Sequence, residues 1–189
     1  KEYRRQRQMC IRDRIMTVAR LAPQKALHIL IDGYALYQKQ ETKPSRLVIV
    51  GIGPLQSELQ QLAIDKGIAE KVIFAGFRTD SQQVMYACDV FVLTSIYEGF
   101  GLVLLEAMVA KRPIVATKVS AIPEVVEDGI TGILIPPLDP QKLTQAFLEL
   151  ESAELRSSLG MAGQQRVKNE FSVSPMVEKT LAVYQACSL

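Results

Sequence analysis

The sequence predicts an α/β fold, an open parallel sheet with helices packed on both faces. Three observations carry that reading. Short apolar runs rich in β-branched residues recur along the chain, among them Leu47-Val-Ile-Val50 and Val90-Phe-Val-Leu-Thr94, and continuous runs of this kind suit strands buried on both sides. Between them lie segments whose apolar residues repeat at helical spacing. The two kinds alternate, joined by connections of a few residues, which is the order that builds a parallel sheet from strand–helix–strand crossovers.

The elements follow in order. Ile15-Met-Thr-Val-Ala19 predicts a first strand, closed by the loop Arg20-Leu-Ala-Pro23, with Pro23 suited to a first helical turn. Ala26, Leu27, Ile29, Leu30, Ile31, Tyr34, Ala35 and Tyr37 recur as one helix face. Leu47–Val50 is the second strand, and Gly51-Ile-Gly-Pro54 breaks it before a helix marked by Leu55, Leu59, Leu62 and Ala63. Val72-Ile-Phe74 is a third strand ending at Gly76, residues 80–87 a short helix, and Val90–Thr94 the fourth strand. A strongly apolar helix then runs to Lys111-Arg112, cations matched to its negative end. Pro113–Thr117 is a fifth strand, Ile122–Glu127 a short helix and Gly132–Ile135 a sixth strand. Helices follow from Asp139-Pro140 to about Glu151, over 153–169 with breaks at Gly160 and Gly163, and over 175–187. The whole is a Rossmann-like open sheet, whose ligands bind at the carboxyl ends of the strands. The loops at 20–25, 51–54, 76–80, 95–101 and 118–123 are therefore the ones where chemistry is expected.

Composition sets the limits. A chain of 189 residues with 48% hydrophobic and 22% charged residues is one domain, or one large lobe, able to bury a real core. No uncharged apolar run approaches the ~18 residues of a membrane span, and no secretory signal pattern opens the sequence, so the expected location is cytoplasmic. Cys10, Cys88 and Cys187 fit a reducing compartment better than a disulfide framework. His28 is the single histidine and Asp-x-Asp is absent, so no bound metal is expected. The net charge of +2 is local: residues 1–14, KEYRRQRQMCIRDR, carry +4 and the remainder −2. That arm reads as a basic nucleic-acid or headgroup arm, as a solvated, disordered terminus, or as non-native sequence, since Met9-Cys10-Ile11-Arg12-Asp13-Arg14 resembles a translated sequencing adapter. It is set apart from the fold at 15–189, for which no nucleic-acid partner is expected.

The densest signal lies after the fourth strand. Eight of the eleven residues from Gly101 to Lys111 are Leu, Val, Met or Ala, with Glu106 in their midst. Such a helix is expected inside a domain, and an unpaired carboxylate there would cost several kcal/mol, so a partner is expected. That partner is Arg20, Lys25 or Arg112 in an ion pair, or the vicinal hydroxyls of a ligand such as a ribose. Upstream, Glu98 precedes Gly99, Phe100, Gly101 and Leu102, whose backbone N–H groups at a helix start suit a phosphate, although an ordinary glycine turn explains them equally. Arg20 and Lys25 can reach the same sheet edge and supply a guanidinium and an ammonium. Gly51-Ile-Gly-Pro54 begins like a dinucleotide fingerprint but has Gln56 where the third glycine belongs, so a plain strand-to-helix turn is expected. Thr94 and Ser95 have no adjacent base and make a poor nucleophile.

Glu98 and Glu106, separated by seven residues within EGFGLVLLEAM, resemble the Glu-x7-Glu motif of retaining glycosyltransferases of family 4. VARLAPQKALH (18–28), LVIVGIGPL (47–55), VIFAGF (72–77), ACDVFVLTS (87–95) and AIPEVVEDGITGILIPP (121–137) agree in the same order. The resemblance covers about 15–187 and implies the C-terminal, donor-binding lobe of a GT-B enzyme. By position, it implies that Arg20 and Lys25 hold the diphosphate of a nucleotide-sugar, with the amides from Gly99 to Leu102. It implies Glu98 on the donor sugar, Glu106 on the ribose, and Phe77-Arg78 beside the base. Transfer of a hexosyl group would proceed with retention and without a metal or other cofactor, to a carbohydrate, lipid-linked or other acceptor. The N-terminal lobe is a further expected partner, and the whole enzyme could associate peripherally with a membrane surface. One lobe alone is expected to be inactive. Two alternatives remain: a nucleotide-sugar-binding module without catalysis, and a dinucleotide-binding oxidoreductase domain. The chain departs from the family pattern at Ala19 and Ala26, where glycines are common beside the Arg and Lys, and at Ser120-Ala121, where Gly-Gly is common.

Overall fold

The computed structural model describes residues 13–40 and 43–187, excepting the side chain of Ser81. The arm at 1–12, including Cys10, lies outside the described residues. Six strands, β1 (Asp13–Val18), β2 (Ser45–Val50), β3 (Val72–Gly76), β4 (Val90–Leu93), β5 (Ile114–Thr117) and β6 (Gly132–Ile135), form one sheet in the order β3-β2-β1-β4-β5-β6. Every pairing is parallel. Eight helices alternate with and follow them: α1 (Leu27–Gln38), α2 (Gln56–Asp65), α3 (Ser81–Met85), α4 (Leu102–Val109), α5 (Ile122–Val125), α6 (Pro140–Glu149), α7 (Ala153–Glu170) and α8 (Val173–Cys187). Two 3₁₀ turns, Pro23–Lys25 and Ala69–Lys71, complete the count among the described residues.

Strand pleating sorts the core into two layers, because successive side chains point to opposite faces. Ile15 joins Leu47, Ile49, Leu30, Tyr34 and Phe147 on one side. Its neighbour Met16 joins Phe91, Leu93, Leu104, Met108 and Ile114 on the other. On the first face α6 lies across α1, with Tyr37 and Phe147 edge to face at 5.6 Å and the Thr144 hydroxyl donating to the Gly33 carbonyl at 2.9 Å. On the second face α4 is held under α7.

Three sequence expectations change here. The first strand starts at Asp13, so two residues assigned to the arm are in the sheet: the Asp13 N–H bonds the Pro44 carbonyl, and Arg156 pairs with the Asp13 carboxylate at 3.0 Å. The segment 153–169 is a single unbroken helix. Gly160 and Gly163 are interior positions where α7 crosses the end of α4; a Cβ at Gly160 would stand 2.3 Å from the Lys111 carbonyl oxygen. Glycine there serves close packing, at a helix-propensity cost of about 1 kcal/mol each. Finally, α4 is not sealed inside the domain. Leu102 is 68% and Val109 46% exposed, and with half-buried Leu105 and Glu106 they form an open stripe one helical face wide.

Two strands flank β1, and the strand order reverses there, between β2 and β4. That reversal opens a crevice at the strands' carboxyl ends, where an α/β sheet binds its ligand. Beyond it, α8 buries none of its residues and exposes Val173, Met176, Val177, Leu181 and Tyr184. Among the described residues no helix is long and apolar enough to cross a membrane.

Candidate functional site

The crevice holds a cavity of about 570 Å³, walled by the end of β1 (Val18, Arg20), the turn after β2 (Gly51, Ile52), the loop after β3 (Phe77, Arg78) and the first turns of α4 (Leu102, Val103, Glu106). Its glycine wall has a backbone cause. Gly51 adopts φ +135°, and a Cβ on it would sit 2.0 Å from the Ala19 carbonyl oxygen; one on Gly53 would sit 2.3 Å from that of Leu21. The loops after β1 and β2 are zipped by Leu21 N–H to Ile52 O at 3.0 Å and Leu55 N–H to Leu21 O at 3.2 Å. These glycines bring two backbones together, as the strand-to-helix-turn reading expected.

The side chains of Arg20 and Glu106 line this cavity without a hydrogen bond or ion pair to any described residue. Of the two partners expected for Glu106, the ion pair with Arg20, Lys25 or Arg112 does not form: Lys25 is engaged elsewhere, and Arg112 donates to the Ala110 and Cys88 carbonyls. The open stripe of α4 removes the need for it, since a half-buried carboxylate at a cavity wall keeps its hydration. Glu106 also borders a second cavity of about 400 Å³, between α4, α3 and the end of α7. Arg78 lines the first cavity but is held by Asp80 through two bonds of 2.8 and 2.6 Å. That fork raises the Arg78 pKa and lowers that of Asp80.

Lys25 and Glu98 are brought together beside the cavity. Lys25 closes the 3₁₀ turn begun by Pro23, and its Nζ donates to Glu98 Oε2 at 2.5 Å, the two side chains being only 17% and 15% exposed. The buried Ser95 hydroxyl donates to the same oxygen at 3.1 Å. The segment after β4 also grips the turn that carries Lys25, with the Thr94 hydroxyl donating to the Lys25 carbonyl at 2.9 Å and the Ile96 N–H to that of Gln24 at 2.9 Å. The Thr117 hydroxyl, from the end of β5, bonds the Ser95 carbonyl at 2.5 Å.

Within the glycine turn, Gly101 is the position that requires glycine. It caps α4 at φ +79°, ψ 52°, whereas a Cβ on Gly99 would meet open space. The first N–H groups of α4 have no intrahelical acceptors. The Phe100 ring turns away, edge to face on Phe171 at 5.9 Å, and the Arg166 guanidinium covers Phe171 at 5.6 Å. His28 is exposed on α1. Cys88 is buried and burial pushes its thiol to about 12, leaving it an inert filler. Among the described residues no three His, Cys, Asp or Glu could share a metal ion.

Sequence reasoning missed the strand-end hydroxyls. Thr94, Ser95 and Thr117 were weighed as nucleophiles or not at all, yet polar side chains ending otherwise apolar strands signal partners at the carboxyl edge. Thr17 lies one residue before the end of β1, and its hydroxyl is buried with no hydrogen-bond partner among the described residues.

Comparison with known proteins fits this geometry. The family model described as glycosyl transferases group 1 matches residues 12–152. An alpha-D-kanosaminyltransferase of Streptomyces kanamyceticus is 28% identical over 93% of this chain and 46% of its own length. The chain thus spans less than half the length of that curated relative. Among solved structures, the HepE protein of Anabaena in complex with UDP superposes with a TM-score of 0.85 at 30% identity, over 98% of this chain and 52% of that one. The C-terminal domain of the LpcC glycosyl transferase of Francisella tularensis superposes with a TM-score of 0.77 at 26% identity, over 92% and 94% of the two chains. The sheet is that of a GT-B glycosyltransferase lobe, and the chain belongs to the glycosyl transferases group 1 family.

Proposed function

We propose that this chain is the donor-binding half of a retaining hexosyltransferase that uses a nucleotide-diphospho-sugar. The observation that carries the reading is the uncommitted pair of side chains Arg20 and Glu106, a cation and an anion lining one cavity at the strand-order reversal. A diphosphate and a ribose diol present the complementary chemistry, one anionic and one donating hydroxyl protons. Arg20 takes the phosphates with the amides of Gly99 to Leu102, at the positive end of α4. Glu106 accepts from the ribose hydroxyls, and the base lies along Phe77-Arg78. UDP bound to HepE supports this occupant. Lys25 and Glu98 complete the site on the sugar side. As the sugar–phosphate bond breaks, negative charge grows on the diphosphate, where Arg20, Lys25 and the amides stabilise it without reorganising. Glu98 orients the sugar hydroxyls.

The acceptor, whether carbohydrate, lipid-linked or other, binds outside this half, on a further lobe. Retention, the absence of a metal or other cofactor from the reaction, and a cytoplasmic setting, with the whole enzyme at the membrane surface or not, belong to the same proposal. A nucleotide-sugar-binding module without catalysis is the second reading, favoured by the ion pair that occupies Lys25 and Glu98. A dinucleotide-binding role is disfavoured because Gly51 and Gly53 are consumed by packing against Ala19 and Leu21.

The test is an NMR titration of the 189-residue chain with UDP, GDP, ADP and NAD, repeated for Arg20→Ala and Glu106→Gln. One nucleoside diphosphate is expected to shift resonances in the loops after β1, β3 and β4, and both variants to weaken it. Selective binding of NAD would overturn the reading. In the complete protein, transfer that survives Glu98→Gln and Glu106→Gln at the unmodified rate would overturn the roles given to these two carboxylates, whereas nucleotide-sugar binding with neither transfer nor hydrolysis would leave only the binding module.

A further inference from the structure

We propose that Ser95 is a positioning residue: its hydroxyl fixes the Glu98 carboxylate so that Oε1 faces the sugar, and keeps it there when the diphosphate draws Lys25 away. The inference rests on the donor-binding reading above. Both donors to Glu98, Lys25 Nζ and Ser95 Oγ, converge on Oε2 at 2.5 and 3.1 Å, and Oε1 has no partner among the described residues. Two donors on one oxygen leave the other as the acceptor presented to a ligand.

The two donors differ in how they respond to that ligand. An ammonium on a flexible four-carbon stem is a point charge, free to re-aim at a stronger anion. A diphosphate arriving at the positive end of α4 is such an anion. Left with Lys25 alone, Glu98 would lose its anchor at the moment the donor binds. Ser95 has no such freedom. It is fully buried, its carbonyl is bonded by the Thr117 hydroxyl from β5, and the residues on either side of it, Thr94 and Ile96, are bonded to the turn that carries Lys25. A neutral hydroxyl fixed by two strand ends holds the carboxylate without competing for phosphate. The buried hydroxyls thereby acquire one role, holding the Lys25 turn and the Glu98 loop in a common register.

The experiment measures the sugar excess, the ratio of dissociation constants for a nucleoside diphosphate and its sugar ester. The chain is titrated by NMR with UDP and UDP-glucose, GDP and GDP-mannose, and ADP and ADP-glucose, and the pair bound best is used. Ser95→Ala is expected to lower the excess about tenfold, or to unity if it is smaller, the size of a lost hydrogen bond to a charged group. The affinity for the plain diphosphate should stay within about twofold. In a Glu98→Ala background the same substitution should change the excess by less than about twofold, because its effect acts through Glu98. Ser95→Thr, which keeps the hydroxyl, should retain the excess. Ser95→Cys, with nearly the same volume and a weak S–H donor, should lower it and serves where the alanine variant does not fold. An unchanged excess in Ser95→Ala and Ser95→Cys, an equal fall with and without Glu98, or no sugar excess in the unmodified chain would overturn the inference. Absence of any nucleoside diphosphate binding would instead overturn the donor-binding reading beneath it.

Discussion

Two cation–anion sets share one mouth of the sheet and are built in opposite ways. Lys25 and Glu98 are closed: paired at 2.5 Å, mostly buried, and held by hydroxyls from two strand ends. Arg20 and Glu106 are open, standing on the walls of a cavity with no partner of their own among the described residues. A closed pair contributes to the fold and must be shared or broken by a ligand. An open pair contributes nothing to the fold, and the ligand receives its full strength. Binding affinity is therefore expected to reside in the open set, and the closed set to govern placement of the reacting group.

The largest effect is expected from the backbone beneath the open set. Gly51→Ala puts a methyl 2.0 Å from the Ala19 carbonyl oxygen at φ +135°, a conformation that L residues avoid. The expected loss is about 3 kcal/mol or more of stability, from strain and overpacking together. Nucleotide binding should fall with it, since Gly51 walls the open set; chemical denaturation of the variant checks this, and a loss under 1 kcal/mol would show that the two loops can part. Next is the pair of substitutions Lys25→Met and Arg20→Met. Lys25→Met strands the Glu98 carboxylate at 15% exposure with Ser95 alone, a cost of about 1–3 kcal/mol. Arg20→Met touches an exposed side chain and should change stability by less than about 0.5 kcal/mol. In nucleoside diphosphate affinity the order should invert, Arg20→Met losing about tenfold or more and Lys25→Met less. Equal stability losses, or equal affinity losses, would erase the distinction between the sets.

How far this was legible in the sequence follows the same division. Strand and helix order was readable throughout, because β-branched runs and helical periodicity are local signals. Of the open set, Arg20 was readable as a cation at the right loop and Glu106 as an acid within an apolar helix. The state of Glu106 was not: counting eight apolar neighbours could not show that Leu102 and Val109 turn their faces to solvent, since which side of α4 is covered depends on α3 and α7. The glycines of α7 misled for a related reason. Gly160 looks like a breaker in a one-dimensional reading and is a contact surface for the Lys111 carbonyl in three dimensions. Ser95 was invisible as a partner of Glu98 because the loop between them must fold back before the two meet.

The smallest effect concerns the departures from the family pattern. Ala26 follows Lys25 in the left-handed region at φ 44°, ψ 43°, and Ser120 lies there at φ 47°. Both positions carry a side chain where the backbone suits glycine, at about 1–2 kcal/mol of strain each. Relief by glycine is opposed by the unfolded chain's added freedom, about 0.4–1 kcal/mol. At Ala26, buried to 1% exposure, it is also opposed by the lost methyl, about 0.8 kcal/mol. The terms nearly cancel there, and Ala26→Gly should be neutral within about 0.5 kcal/mol. Ser120 is exposed and loses no buried methyl, so Ser120→Gly should stabilise by about 0.5–1 kcal/mol. Thermal denaturation of the two variants side by side distinguishes them. A stabilised Ala26→Gly would mean that strain under the closed pair exceeds the local backbone cost, and that part of the Lys25–Glu98 attraction is spent holding the turn in place.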